Sequence, residues 1–175
     1  MLRFYIDADS MTERHRNIIL TRALKEGAEA FFVADRSLPD ISEAIAADTE
    51  RLRDPFRGSL EKSELRKIRS RIQMIVVQSG ANAADDWIVC AAEAPALAIT
   101  HDIPLSARLI EKGITVIDDR GNALDSGNIR ERLSLRSLNS DFRELGIKPD
   151  KTKRFDQSIL NRFASAFDKA VNSLK

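Results

Sequence analysis

Apolar residues fall in short runs along this chain, and the stretches between them are mostly amphipathic. Leu2 to Ile6 is a largely apolar run that stops at Asp7, which predicts a buried strand. Ser10-Met11-Thr12-Glu13 has the form of a capping box. It predicts a helix that starts there, carries Ile18, Ile19, Ala23 and Leu24 at helical spacing, and ends at Gly27. Further strands are predicted at Ala30 to Ala34, Ile72 to Val77, Ala96 to Thr100 and Ile114 to Ile117. Asn82-Ala83-Ala84-Asp85 opens a predicted helix running to about Glu93, and Pro104 and Gly113 suit the first turn and the end of another. Strands alternating with helices predict an α/β fold with a parallel sheet and helices on its faces.

Two stretches break that rhythm. Ser37 to Arg71 is polar and charged and contains Pro39, Pro55 and Gly58; it reads as two short helices, roughly 40–52 and 60–70, around a loop. The segment 40–71 therefore looks like a charged helical insertion. From Asn128 onward the pattern is helical only. Phe155, Ile159, Phe163, Phe167 and Val171 recur four apart, which predicts an amphipathic helix over 155–173, docked on the domain core or on a second subunit of a homodimer. At 175 residues and 43% hydrophobic, the chain is expected to form a single domain, 1–175, with a real core.

Charge narrows little as a total, since 28 Lys and Arg face 27 Asp and Glu. One cysteine, Cys90, makes neither an internal disulfide nor a zinc site, and its apolar surroundings suggest packing. The opening residues MLRFYIDADS lack signal-peptide features and no apolar run approaches a membrane span, so a cytoplasmic protein without membrane contact is expected. Walker, GxGxxG and GxSxG motifs are absent from the sequence, which removes support for a nucleoside-triphosphatase, a dinucleotide enzyme or a serine hydrolase.

The acidic residues are more informative. Asp7 and Asp9 follow the first predicted strand, Asp102 the fourth, and Asp118 and Asp119 the fifth, while Asp85 and Asp86 open the helix after the third. Open parallel sheets bind ligands outside the carboxyl ends of their strands, so these side chains should meet at one edge. Each has a structural alternative: Asp9 in a turn, Asp85 favouring a helix dipole, Asp102 as a helix cap, Asp118 and Asp119 in a turn. As a group they carry a cost, because two charges 4 Å apart repel by about 4 kcal/mol at an effective dielectric near 20. Such a group takes up protons, spreads apart or binds a cation, and Mg²⁺ accepts a few carboxylates plus waters.

The same residues carry a resemblance. Ile6-Asp7-Ala8-Asp9, Ala84-Asp85-Asp86-Trp87-Ile88-Val89, Ile99-Thr100-His101-Asp102-Ile103-Pro104-Leu105, Asp118-Asp119-Arg120-Gly121 and Ile129-Arg130-Glu131-Arg132-Leu133 occur in order across about residues 2–147. This ordered set resembles the YaiI/YqxD family of bacterial PIN-like proteins. The resemblance implies a PIN-like three-layer α/β/α sandwich with a mostly parallel central sheet and C-terminal helices. In PIN domains such acids hold Mg²⁺ or Mn²⁺ and cleave RNA, which makes Asp7, Asp85 and Asp102 the first candidates for both ligation and catalysis. Asp9 and Asp86 come next as metal ligands, and Asp118 joins the metal set where the family often has asparagine, which implies a polar rather than an anionic role for it. Ser10-Met11 replaces the family's usual Cys-Pro, and the stretch 37–71 is longer than its counterpart. The activity implied is a divalent-metal-dependent phosphodiesterase or ribonuclease; the alternative is a non-catalytic metal- or nucleic-acid-binding regulatory protein on the same fold.

Basic residues suggest where single-stranded RNA would lie. Residues 51–71 hold eight Lys or Arg against three acids, with Arg66, Arg69 and Arg71 the candidates for phosphate contact, or else a solvated face. Arg120, Arg130 and Arg132 form a second set, open to phosphate contact or to pairing with Glu131 and the Asp cluster; Arg132 and Arg136 can share a helix face. Of the two histidines, His101 neighbours Asp102 and reads as a bystander. Trp87 reads as a packing residue.

Overall fold

The first strand, β1 (Arg3–Asp7), shows why the centre of this sheet needs cover on both sides. Phe4 and Ile6 point into one core and Tyr5 into another, as the alternation of a strand requires. β2 (Glu29–Ala34) does the same, with Ala30, Phe32 and Ala34 on the first side and Phe31 and Val33 on the second. The computed structural model describes residues 1–54, 61–78, 80, 82–135 and 157–175.

After β1 a single 3₁₀ turn, Ala8–Ser10, leads to α1 (Glu13–Glu26), and β2 leads to α2 (Pro39–Leu52), the short α3 (Lys62–Leu65) and β3 (Ile72–Val76). Then come α4 (Ala83–Ala91), β4 (Leu97–Ile99), α5 (Ile103–Glu111), β5 (Thr115–Ile117), β6 (Ala123–Leu124), a helical segment α6 over 129–135, and α7 (Gln157–Ser173). The sheet order is β3-β2-β1-β4-β5-β6, parallel throughout except for β6. The chain moves outward from β1 to β3, then crosses back to β4 and continues the other way. Crossovers of one hand therefore put α1 and α2 on one face and α4 and α5 on the other. With α7 beside α1, the result is the three-layer α/β/α sandwich that the resemblance implies.

Several sequence expectations shift. The capping box at Ser10 does not form: the Ser10 hydroxyl donates to the Asp7 carbonyl at 2.8 Å, and the N-cap is Thr12, whose hydroxyl meets His15 Nδ1 at 2.8 Å. The 3₁₀ turn consumes the residues the box would need. The helix expected over 60–70 is reduced to Lys62–Leu65 among the described residues: tighter bonds from the Lys67 and Ile68 amides to the Glu64 and Leu65 carbonyls follow it, and Arg69 and Arg53 bond the Ile68 carbonyl from their side chains. The helix after Asn82 stops at Ala91, where the Tyr5 hydroxyl takes the Ala91 carbonyl at 2.9 Å. Cys90 is exposed, contrary to its expected packing, because it falls on the solvent flank of α4. Strand β6 was not expected; it is two residues long and pairs across the Asp118–Asn122 turn.

α7 packs on the domain core, with Leu160, Phe163, Phe167, Ala170 and Val171 buried. Ile159 is only half-buried, since positions four apart drift around a helix by about 40° per step and the stripe moves to Leu160. Phe167 meets Phe4 edge-on at 5.4 Å and Phe163 meets His15 at 4.9 Å. Gly121 lets the turn before β6 touch α7: its φ is 76°, and a Cβ there would stand 2.7 Å from the Arg162 carbonyl oxygen. Pro55, Arg57, Gly58, Arg136 and Phe155 lie outside the described residues. Among the described residues, no helix is long and apolar enough to cross a membrane.

Candidate functional site

The sheet order reverses between β1 and β4, so their carboxyl ends border a crevice, the place where open α/β sheets hold ligands. Asp7 ends β1 on one side of it. Thr100 and Asp102 follow β4 on the other. α4, the crossover that links β3 to β4 across this face, brings Asp85 in its first turn. Three acids distant in the chain are thus delivered by three different elements.

Each is held differently. Asp7 is buried, and its Oδ2 accepts a 2.8 Å hydrogen bond from the Thr100 hydroxyl; among the described residues no donor reaches the other oxygen. Asp102 caps α5, its Oδ1 accepting from the Leu105 amide at 2.9 Å, while its own amide donates to Thr100 Oγ1 at 3.0 Å. One hydroxyl therefore ties both flanking acids to the strand end. Asp85 has no hydrogen bond or ion pair among the described residues. Burial first, and then the charges of Asp102 and Asp7, push its pKa up from 3.8 to about 6. Arg108 opposes that rise only in part. Its guanidinium is committed to Asp86 at 2.7 Å.

The other predicted site residues lie around or away from this crevice. Asp86 faces outward to Arg108. Asp9 caps the end of β2, accepting from the Asp35 amide at 2.7 Å and pairing with Arg36 at 3.2 Å. Asp118 is buried and structural in its contacts: it accepts from the Arg120 and Asn122 amides, from Asn122 Nδ2 at 2.6 Å and from Arg132 at 3.2 Å. That pairing uses Arg132, while Arg130 is exposed on α6 and the Arg120 carbonyl takes a bond from Arg162. Arg66, Arg69 and Arg71 precede β3, so they stand at the amino-terminal edge of the sheet, opposite the acids; Arg71 bonds the Gly27 carbonyl at 2.7 Å. His101 is exposed, and Trp87 packs against Phe31.

Sequence reasoning passed over Thr100, Arg36 and Arg108. Thr100 had a signal, a hydroxyl two residues before an acid at a strand end. The two arginines had none, since their approach to the crevice depends on the turns after β2 and within α5. Asp119 is buried, with burial leading the rise in its pKa and His101 the strongest opposing influence. Burial lowers the pKa of His15 beside it, whose Nε2 lies 3.0 Å from the Asp119 carbonyl oxygen.

The family described as "Uncharacterized BCR, YaiI/YqxD family" matches residues 59–173. The chain belongs to the YaiI/YqxD family. It is similar along nearly its whole length to curated relatives. A UPF0178 protein of Pseudomonas entomophila is 32% identical over 99% of this chain and 98% of its own. One of Stutzerimonas stutzeri is 31% identical over 99% and 97%, and one of Pseudomonas fluorescens is 32% identical over the same shares. No solved structure matches the chain. The YaiI/YqxD match spans α4, β4, α5 and the β5–β6 turn, and so includes Asp85 and Asp102 of the crevice.

Whether the crevice suits a cation follows from its donors. Among the described residues no three His, Cys, Asp or Glu side chains form a ready metal cage. Asp85 nevertheless feels the charges of Asp102 and Asp7, and all three offer hard oxygen. That set fits an ion held by one or two carboxylates with water completing its shell, the habit of Mg²⁺, and not a closed site.

Proposed function

We propose that this YaiI/YqxD protein is a cytoplasmic phosphodiesterase that uses Mg²⁺ or Mn²⁺ at the β1–β4 crevice to cut single-stranded RNA. One observation carries the reading: Asp85, half-buried and without a partner among the described residues, faces two further carboxylates across a sheet switch point. An arrangement that repels itself is costly to keep unless something positive relieves it. Asp7 and Asp102 would hold the ion from the two sides of the crevice, with Asp85 beside it and water completing its shell. When bound, the ion supplies neutralisation of a phosphate oxygen and lowers the pKa of nearby water.

The chain's own residues would do the remainder. Thr100 fixes the Asp7 carboxylate and the start of α5 together, so the two flanking acids keep their separation. Asp85, with its elevated pKa, is suited to take a proton from water near neutral pH. Arg36 and Arg108, exposed at opposite sides of the crevice, each use some N–H groups on acids and retain others for phosphate. A second reading, a non-catalytic binding protein, draws support from the open donor set among the described residues.

Cleavage of a fluorescent single-stranded RNA in Mn²⁺ tests the proposal, with Asp102→Asn and Asp85→Asn made beside the wild type. The expected result is slow cleavage that stops in EDTA and falls at least a hundredfold in either variant. Equal activity in the variants would mean a contaminating nuclease. A melting shift with Mn²⁺ that disappears in the variants, without cleavage, would favour the binding reading.

A further inference from the structure

The acidic crevice leaves the basic excess of residues 51–71 unexplained, and that excess borders a different feature. At the amino-terminal edge of the sheet, α1, α2 and β3 surround a cavity of about 410 Å³. Its floor is apolar, with Leu24, Leu52 and Ile72, and its rim carries Arg51, Arg69 and Arg71. Asp48 is the one acid of that lining among the described residues, and its charge is already spent within the wall. Buried to 6% exposure, it accepts from Arg51 on one oxygen and from the Ser70 hydroxyl on the other, both at 2.7 Å. Arg71 uses Nη1 on the Gly27 carbonyl and Arg69 uses Nη1 on the Ile68 carbonyl at 2.9 Å. These bonds orient the guanidinium groups and leave most of their five N–H donors uncommitted to those carbonyls.

We propose that this cavity is a second binding site, for a phosphomonoester carried on an apolar or aromatic body, the chemistry of a mononucleotide. With Arg51 paired to Asp48, the guanidinium groups of Arg69 and Arg71 are left in excess and favour an anion, and arginine matches phosphate in bidentate fashion. The apolar floor favours a ligand that is more than an inorganic ion. The volume lies within the roughly 300–1,000 Å³ of small-molecule sites. A free nucleotide and the terminal phosphate of an RNA share this chemistry. The site is independent of the metal-dependent reading, since it lies across the sheet from the acids.

The test is an NMR titration of the ¹⁵N-labelled full chain with AMP, in EDTA so that no metal supports binding at the crevice. Amide shifts are expected over residues 24–28 and 69–72. Adenosine and inorganic phosphate are each expected to bind at least tenfold more weakly than AMP. A pentanucleotide with a 5′-phosphate that shifts the same amides, where its 5′-hydroxyl twin does not, identifies an RNA end as a source; shifts with AMP alone identify the free nucleotide. The double variant Arg69→Gln and Arg71→Gln should weaken AMP at least tenfold. Should it fail to fold, Arg51→Gln leaves both carbonyl bonds intact and should weaken AMP at least threefold. No shift at millimolar AMP, shifts confined to residues 7–9 and 100–102, adenosine binding as well as AMP, or unchanged affinity in the variants would each overturn the proposal.

Discussion

Asp85 is a carboxyl on which burial and the like charges of Asp102, Asp7 and Asp86 act in the same direction, and its pKa rises from 3.8 to about 6. Between those pH values the native protein keeps a proton that the unfolded chain releases. Its stability therefore falls as pH rises through that window, and the favourable state is complete only below 3.8. His15 works in the opposite sense. Burial lowers its pKa below 6.5, so acidification below that value favours the unfolded chain, which accepts the proton more readily. Asp119 shares the sign of Asp85. In EDTA at pH 7, Asp85→Asn is expected to be more stable than wild type by roughly 1 kcal/mol, after allowing for solvent screening of a partly exposed group. That corresponds to a melting gain of about 2–4 °C for a chain of this size. Calorimetry from pH 7 to pH 4 should show the gain shrinking toward zero as wild-type Asp85 takes up its proton. Equal melting at pH 7 would mean that Asp7, Asp85 and Asp102 do not repel one another in solution.

At the scale of elements, α7 gives the clearest outcome. Phe167 is fully buried between α7 and β1, against Phe4. Phe167→Ala is expected to cost about 3–5 kcal/mol in urea unfolding, whereas a helix that docked only on a second subunit would show a loss that depends on protein concentration. Both the helix and its apolar stripe were legible from spacing, because 3.6-residue periodicity is written directly in side-chain type. The central strands were legible for a similar reason: Phe4, Ile6, Phe32 and Ile99 need burial on a sheet covered on both faces. What escaped were features set by single hydrogen bonds. The Ser10 hydroxyl chooses the Asp7 carbonyl over a helix amide, and β6 is two residues paired across a turn that Asp118 ties together. Neither choice leaves a periodic trace. In the candidate site the acids were legible as a class because strand ends are. Their division of labour was not: Asp118 is taken up by Asn122, Arg132 and the Arg120 amide, whereas Asp7 meets the Thr100 hydroxyl.

Across the whole molecule the parallel sheet has two unlike edges. The carboxyl ends gather Asp7, Asp85 and Asp102, with Arg36 and Arg108 beside them; the amino ends gather Arg51, Arg69 and Arg71. β3 alone, five residues at about 3.3 Å each, separates the edges by about 16 Å. Sequence order hides this, because Arg71 and Asp85 are close in number yet lie at opposite ends of β3, Arg71 just before the strand and Asp85 in the first turn of the helix that follows it. A short RNA seated in the crevice should thus depend on Arg36 and Arg108, not on the basic stretch that composition singled out. The measurement is the salt dependence of binding for a pentanucleotide with a 5′-hydroxyl end, in Ca²⁺ to support binding without turnover. If each arginine meets one phosphate, Arg36→Gln with Arg108→Gln should flatten the slope of log K against log salt by about 1.4, at about 0.7 per contact on a single strand. Arg66→Gln, Arg69→Gln and Arg71→Gln together should leave that slope unchanged if the RNA is held at the crevice alone. The reverse pattern would place the nucleic acid at the amino-terminal edge and remove the crevice from RNA recognition.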